Sequence, residues 1–246
     1  MTNRDSNRTP FRKSPGFRRV KLALKRLVGR EPRMRLDVRM PMETIGGWTL
    51  NTDLLGDGAC VYSLGVGEDI RFDLELIERK AAVVDAFDPT PNSVRWLAGQ
   101  RLPEAFRFHP IAIAEHDGSV WFYPRRRRDG SSSRMMYTML TEPADGQGGV
   151  EVPARTLAGI ARELAHERVD VLKMDIEGAE YEVLRGLLAS TLRPTQLLIE
   201  FHHRFAGIGL EHTLEAIAGL RRGGYGLANI SPSGREFSFV LLSRLR

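Results

Sequence analysis

Carboxylate and imidazole side chains follow two apolar, strand-like segments in the second half of the chain. The residues concerned are Asp175, Glu177, Glu180, Glu200, His202 and His203. Because parallel strands of an α/β sheet end at the same edge, where such sheets bind ligands, we expect these groups to form a site. The pattern also fits a solvated strand-to-helix turn, since glutamates favour the positive N-terminal end of a helix.

These residue types suit proton transfer and also cation binding. Unperturbed histidine titrates at about pH 6.5, so His202 or His203 is the first candidate for a general base. Asp175 is the next catalytic candidate, and Asp175 or Glu200 could orient the base or a substrate. Asp175, Glu177 and Glu200 could instead hold Mg²⁺, which prefers oxygen ligands. We predict no metal site and keep magnesium as an open alternative.

A glycine-rich turn follows an earlier apolar segment. The segment 59–64 predicts a strand, and Gly65 and Gly67 come directly after it. A second apolar run, 82–87, ends at Asp88, twenty-one positions after Gly67. Glycine lets the backbone approach a ligand closely, and an acid at the end of the second strand can accept hydrogen bonds from ribose hydroxyls. Together the two features predict a nucleoside site.

The charges beside the glycine turn argue against a dinucleotide ligand. The dinucleotide pattern needs a third glycine at position 70, where this chain has Ile70, and a helix start that accepts pyrophosphate. Glu68 and Asp69 precede this helix and would repel phosphate. The same charges tolerate a ligand with an ammonium or sulfonium group, such as S-adenosylmethionine.

Four segments between residues 55 and 205 carry a family resemblance: YSLGVGED, AFDPTP, LKMDIEGAEYEVL and LLIEFHH. With them the chain resembles the FkbM-type S-adenosylmethionine-dependent methyltransferases, in particular a methyltransferase-like branch. The resemblance implies a class I methyltransferase fold, which is a doubly wound, mostly parallel seven-stranded α/β sheet of Rossmann-like topology. We expect its antiparallel last strand at 237–242. The implied cofactor is S-adenosylmethionine, bound over Gly65, Gly67 and Asp88.

The resemblance also implies roles for single residues. The cofactor-binding candidates are Ser63, Gly65, Gly67, Asp69, Asp88, Ile113, Ala114, Glu115 and Asp175. Ile113, Ala114 and Glu115 follow the third strand, which in related folds places such residues beside the adenine. Glu177 and Glu180 are the expected substrate-binding residues.

Composition favours one α/β domain with a basic appendage. The 246 residues include 42% hydrophobic ones, enough for one large core. We assign 1–35 to a basic, partly disordered arm with an amphipathic helix and 36–246 to the methyltransferase domain. Cys60 is the single cysteine, so no internal disulfide forms. The net charge of +5 arises mainly in the first forty residues and at 125–128.

The N-terminal arm has an apolar helical face at Val20, Leu24, Leu27 and Val28, with basic residues around it. Such a helix most often docks on its own domain, and peripheral contact of residues 20–30 with anionic lipid is the alternative. The sequence has no apolar run of about 18 residues and no signal-peptide segment. We therefore expect a cytoplasmic protein.

Two further segments precede the carboxylate-rich half. The run 106–114 predicts a third strand, and 119–123 predicts another. Residues 125–149 are rich in charge, serine and glycine and read as a long connection without periodicity. This connection is either a mobile substrate loop, whose arginines attract phosphate or carboxylate, or a solvated surface with no specific partner.

Three functions remain open at this point. The first is O-methylation of a hydroxyl on a small molecule or sugar-containing metabolite. The second is nucleic-acid methylation through the basic arm, which we consider unlikely because the basic segments lack interleaved aromatic residues. The third is an inactive cofactor-binding or scaffold protein, since many class I enzymes have an acid in place of Ser63 and a glycine in place of Asp69. Neither the acceptor nor the oligomeric state can be read from the sequence.

Overall fold

A seven-stranded sheet forms the centre of the fold. The computed structural model describes residues 31–126, 132–138, 149–205 and 207–245, together with 22–24, 27 and 29. The strands are β1 (Glu43–Ile45), β2 (Trp48–Leu50), β3 (Cys60–Leu64), β4 (Val83–Phe87), β5 (Phe106–His109), β6 (Ala112–Ile113), β7 (Gly118–Arg126), β8 (Ser132–Thr138), β9 (Val150–Arg155), β10 (Val171–Met174), β11 (Gln196–Glu200), β12 (Tyr225–Ile230) and β13 (Glu236–Leu241). The order in the central sheet is β12-β13-β11-β10-β3-β4-β5.

Strand direction confirms the predicted fold class. Parallel pairs join β5 to β4, β4 to β3, β3 to β10 and β10 to β11. Only β13 in this sheet, within the described residues, runs antiparallel to both of its neighbours, β11 and β12. The antiparallel last strand was predicted at 237–242 and spans Glu236–Leu241. The carboxyl ends of β3, β4 and β10 therefore meet at one edge of the sheet.

Helices cover both faces of this sheet, as a doubly wound fold requires. They are α1 (Arg71–Lys80), α2 (Pro91–Leu97), α3 (Leu157–Glu163), α4 (Glu180–Ala189) and α5 (Leu210–Arg222), with short 3-10 helices at Thr52–Leu54 and Leu242–Leu245. One apolar cluster joins α1, α2 and the β1–β2 hairpin to the sheet, and another joins α3, α4 and α5 to its opposite face. Alternate residues of β3 enter the two clusters, Val61 the first and Tyr62 the second.

The third predicted strand is divided. The run 106–114 forms β5 in the central sheet and then β6, which pairs with β9 in a separate four-stranded sheet. Pro110 lies between the two strands and has no backbone N–H to continue a ladder. The chain leaves the central sheet at this proline, so the prediction of one continuous strand was wrong.

The segment 125–149 is partly ordered as strand rather than as one long connection. β7 continues to Arg126, and β8 pairs with it in antiparallel fashion from Ser132 to Thr138. Tyr and Thr favour strands, but the arginine run ahead of them obscured the pattern. Residues 127–131 and 139–148 lie outside the described residues, so the predicted substrate loop is not tested there.

Leu22 is one of the contacts between the N-terminal arm and the domain. Leu22 is buried over the turn at Gly234, where an added Cβ would approach its Cδ1 to 2.5 Å. Leu24 and Leu27 are 58% and 68% exposed. The Leu22 contact supports docking of the arm on its own domain. Lipid contact through residues 20–30 stays a prediction, because Val20 and Val28 lie outside the described residues. No helix in the described part of the chain is long and apolar enough to cross a bilayer.

The turn after β3 lies against the end of β10. Gly65 has a φ of +71°, and a Cβ on it would lie 1.8 Å from the carbonyl oxygen of Asp175. Gly67 also has a positive φ, +56°, but faces open space. The backbone N–H of Asp175 donates to Leu64 O at 3.1 Å, which fixes the same junction. Absence of a side chain at position 65 therefore sets how closely the two strand ends approach.

The two glycines predict unequal costs for the same substitution. Gly67→Ala should lose about 1 kcal/mol of unfolding free energy, which is the left-handed backbone penalty alone. Gly65→Ala should lose at least twice that, because its Cβ also collides with backbone. Urea unfolding of the two variants beside the wild type measures the difference. Equal losses would show that the β3–β10 contact is not tight.

Candidate functional site

A cleft opens at the carboxyl ends of β3, β4 and β10, where the sequence predicted a site. It encloses about 240 Å³. Its walls come from the turn after β3, the end of β4 with the start of α2, the segment around β6, one residue of β7, and the turn after β10, which has the sequence DIEG (175–178) and is called the DIEG turn below. The lining residues are 64–69, 87–90, Ser93, 111–113, Phe122 and 175–177. The two motifs recognised separately in the sequence therefore line one cleft.

Asp88 closes the glycine turn from the neighbouring strand. Its Oδ2 accepts from the Gly67 N–H at 2.9 Å, and its Oδ1 accepts from the Thr90 N–H at 2.9 Å and the Thr90 hydroxyl at 2.7 Å. Thr90 is the N-cap residue of α2, but its hydroxyl bonds to Asp88 and Ser93 rather than capping the helix. These bonds fix the carboxylate at the cleft wall. Oδ1 already accepts two hydrogen bonds, whereas Oδ2 accepts one and retains a lone pair for a ligand.

The wall opposite the glycine turn is apolar. Ile111, Ala112, Ile113 and Phe122 contribute to it. Of the three residues predicted beside the adenine, only Ile113 lines the cleft. Ala114 is buried in the small cluster of the second sheet, and the exposed Glu115 lies 3.8 Å from Arg185. The expectation that Ala114 and Glu115 lie beside the adenine is therefore wrong. The pairing of β6 with β9 turns the chain away from the cleft after Ile113.

A buried imidazole stands at the centre of the carboxylate cluster. His202 Nδ1 lies 2.8 Å from Glu180 Oε1. Its Nε2 faces three further carboxylates, at 3.6 Å from Asp175, 3.9 Å from Glu177 and 3.9 Å from Glu200. The structure thus brings these five side chains together at one edge of the sheet. Only Asp175 and Glu177 line the cleft, and His202 and Glu200 lie behind them.

Glu180 organises this cluster from inside the protein. It is fully buried, and its Oε1 accepts from the N–H groups of Ile176 and Gly178 as well as facing His202. These bonds hold the DIEG turn, in which Glu177 has the unusual φ of +52°. The prediction that Glu180 contacts substrate is therefore wrong, because its side chain points into the core and orients His202.

The concentration of negative charge shifts the titration of the cluster. Burial alone would lower the pKa of His202, but Glu180, followed by Asp175 and Glu177, raises it to about 9. Burial and the nearby Asp175 charge raise the pKa of Glu200 to about 7, against the opposing effect of Arg235. Burial also raises the pKa of Asp175. At neutral pH His202 is therefore an imidazolium, and the carboxyls are the groups able to accept a proton.

His203 points away from the cleft. Its Nε2 lies 3.2 Å from Glu31 Oε2, and Arg204 Nε donates to the other oxygen of Glu31 at 2.7 Å. His203 and Glu31 are both buried. The expectation that His203 serves as a general base is therefore wrong, since consecutive residues after β11 face opposite sides. Sequence reasoning missed Glu31 because it stands in the arm, far from any motif.

Two charged groups that the sequence did not identify, Asp73 and Lys173, lie behind the glycine turn. Ser63, a predicted cofactor contact, is fully buried behind the turn and does not line the cleft. Asp69 does line it, with its carboxylate held by Arg71 at 2.6 Å. Beside Ser63 the structure adds Asp73 of α1 and Lys173 of β10, both buried. The sequence did contain a signal for Lys173, since a lysine is unusual inside an otherwise apolar strand.

The cluster also has the composition of a cation site. One donor atom each from Asp175, Glu200 and His202 lies within 4.8 Å of the other two. Two carboxylates and an imidazole suit a divalent ion, and a carboxylate on the second ring nitrogen, as Glu180 provides, is the usual support of a ligating histidine. This set differs from the three carboxylates considered as the magnesium alternative, because it contains His202 in place of Glu177.

Comparison with known proteins shows to which family the chain belongs. The profile of the methyltransferase FkbM domain matches residues 58–227, which include the cleft and the carboxylate cluster. The chain belongs to the FkbM methyltransferase family. This FkbM family member is 27% identical over 150 residues to the probable methyltransferase-like protein 24 of Homo sapiens, covering 60% of this chain and 33% of that protein. The same protein of Rattus norvegicus is 28% identical, with 34% covered.

The family member spans about a third of the length of these curated relatives. The solved structures that resemble it have lower sequence identity. The methyltransferase FkbM of Methylobacillus flagellatus KT has 15% identity and a TM-score of 0.45 over 76% of this chain and 44% of its own. Fibrillarin of Aeropyrum pernix, solved with natively bound S-adenosyl-L-methionine, has 14% identity and a TM-score of 0.42 over 75% and 66%.

The raised pKa of His202 predicts a pH-dependent contribution to stability. Since the folded pKa of about 9 exceeds the unfolded value of 6.5, the stabilisation is full below pH 6.5 and disappears as pH rises through 9. His202→Gln should therefore cost about 3 kcal/mol more at pH 6 than at pH 10. Denaturant unfolding at the two values measures it, with the exposed His116→Gln as control. A cost that does not change with pH would contradict the imidazolium assignment.

Proposed function

We propose that this chain transfers a methyl group from S-adenosylmethionine to a hydroxyl of a small or sugar-containing metabolite. One observation carries the proposal: the glycine turn, Asp88 and the carboxylate–imidazole cluster meet at one cleft in a member of the FkbM methyltransferase family. When bound, the cofactor supplies an activated methyl group on a sulfonium. The residues of this chain have to bind it, orient the acceptor and take up the proton of the hydroxyl.

The polarity of the cleft suits an adenosine that carries no phosphate. The remaining lone pair on Asp88 Oδ2 is available to a ribose hydroxyl, and Ile111, Ile113 and Phe122 offer an apolar wall for a purine ring. Glu68 and Asp69 stand at the start of the following helix, where a dinucleotide enzyme would receive pyrophosphate. Acidic groups there disfavour phosphate and favour a sulfonium.

Asp175 is the best candidate for the general base. It lines the cleft, and burial raises its pKa, which makes its carboxylate a stronger proton acceptor. His202 already carries a proton and lies behind Asp175, where its charge stabilises the carboxylate. The proposal therefore moves the base from the histidine, which the sequence favoured, to the aspartate. Glu177, at the cleft rim, is the candidate for orienting the acceptor.

Binding of S-adenosylhomocysteine tests the cofactor part. The wild type should bind it in calorimetry. Asp88→Asn should weaken that binding at least tenfold, because a charged hydrogen bond to ribose contributes about 1.5–3 kcal/mol. Glu163→Gln, an exposed change on α3, is the control. Absence of binding by the wild type, or unchanged affinity in Asp88→Asn, would refute the proposed cofactor site.

Turnover tests the role of Asp175. Asp175→Asn should lower kcat by about 100-fold or more toward a hydroxyl acceptor, the usual contribution of a general base. S-adenosylhomocysteine affinity should change by less than about threefold if the residue acts on the acceptor proton rather than on the cofactor. Radiolabelled methyl transfer to a panel of hydroxylated metabolites supplies the assay. A loss confined to cofactor binding would show that Asp175 is not the base.

A further inference from the structure

A second, smaller cavity lies behind the glycine turn. It encloses about 100 Å³ between α1, the β1–β2 hairpin and the end of β10. Its lining residues are Gly46, Trp48, Gly65, Val66, Asp69, Phe72, Asp73, Lys173 and Asp175. Gly65, Val66, Asp69 and Asp175 also line the cleft. The cavity is therefore a chamber that adjoins the proposed cofactor position.

An acid without a protein partner faces this chamber. Asp73 is 1% exposed, and neither of its carboxylate oxygens has a hydrogen-bond partner among the described residues. Burial raises the pKa of Asp73 to about 6, against the opposing charge of Lys173. The hydroxyl of Ser63 also favours the ionised form but lies outside hydrogen-bond geometry. Buried carboxylates are normally paired, so the unpaired Asp73 indicates a position where a ligand donor could bind.

A buried ammonium faces the same chamber. Lys173 is 4% exposed, and its Nζ donates to Gly65 O at 3.0 Å and lies 5.3 Å from the centre of the Trp48 ring. Leu64 O accepts a second, longer bond from this Nζ at 3.5 Å, so one of the three N–H groups of the ammonium remains for an anionic partner. The described residues include no ion pair between Lys173 and Asp73. Opposite charges thus line one chamber without contacting each other.

This arrangement is complementary to a zwitterion. A free α-amino acid group has an ammonium and a carboxylate on one carbon, and both would be paired here without leaving a buried charge uncompensated. We propose that the chamber binds the amino-acid end of S-adenosylmethionine, with Asp73 accepting from its ammonium and Lys173 donating to its carboxylate. The inference rests on the proposed function and adds the residues that hold the methionine end.

The assignment also explains how the site could work with Ser63 where many class I methyltransferases have an acid. Many class I enzymes have an acid at this strand position, and its absence left the methionine end without a partner. Ser63 and Lys173 are register partners on β3 and β10, so their side chains share one face of the sheet. That face is covered by α1, which delivers Asp73. The acid is therefore supplied by the helix instead of the strand.

Two related ligands test the inference by calorimetry. S-adenosylhomocysteine has the amino-acid end, and methylthioadenosine has the same nucleoside and sulfur without it. The wild type should bind S-adenosylhomocysteine at least tenfold more tightly. Asp73→Asn and Lys173→Met should each lower affinity for S-adenosylhomocysteine at least tenfold and leave methylthioadenosine within threefold. Asp170→Asn, a buried acid at the opposite end of β10, is the matched control and should affect neither ligand.

The outcomes separate this inference from the proposed function. A wild type that binds neither ligand refutes both. A wild type that binds the two equally, or an Asp73→Asn variant that keeps its affinity for S-adenosylhomocysteine, refutes only the chamber. Thermal melting tests a purely structural role: Asp73→Asn should melt at or above the wild-type temperature at pH 8, since it removes an uncompensated buried charge. A clear drop, with equal loss of both ligands, would assign Asp73 to the fold.

Discussion

The close approach of Gly65 to the carbonyl of Asp175 is the contact on which the site depends. It joins the turn after β3 to the end of β10 at a distance that no side chain at position 65 would permit. Gly65 also donates its N–H to Phe87 O, which brings in the end of β4. Three strand ends are thereby held together, and Asp88 and Asp175 come to face one cleft from opposite sides.

Charge is the second constraint on this edge of the sheet. Four carboxylates surround one buried imidazole, and Glu180, the most deeply buried of them, is bonded to the backbone of the turn that carries Glu177. His202 therefore acts as a fixed cation that allows the acids to lie close together. Burial, with a smaller contribution from neighbouring carboxylates, raises the pKa of Glu200 and Asp175. The same packing that shapes the turn therefore also creates groups able to accept a proton.

The sequence predicted what depends on local pattern. Apolar runs ending in Gly65, Asp88, Asp175 and Glu200 identified the strands and the edge at which they meet, because strand period and chain order determine which ends coincide. The direction in which each side chain points could not be predicted from this local pattern. His202 and His203 are adjacent in sequence and face opposite sides, a difference set by the long-range contact with Glu31.

Other residues were missed because their role arises only from packing. Nothing in the spacing of α1 distinguishes Asp73 from a solvent-facing acid, and only its position under β3 and beside Lys173 gives it a role. Pro110 did carry a local signal, a missing N–H, but the apolar character of 106–114 concealed it. The pairing of β8 with β7 likewise depends on partners distant from the pattern of either strand.

A crystal structure of the complex with S-adenosylhomocysteine tests the central claim most directly. The account predicts the ribose hydroxyls within about 2.6–3.2 Å of the Asp88 carboxylate, with the sulfur on the Asp175 side of the cleft. A nucleoside bound away from the carboxyl ends of β3 and β4, or a sulfur facing away from Asp175, would contradict it.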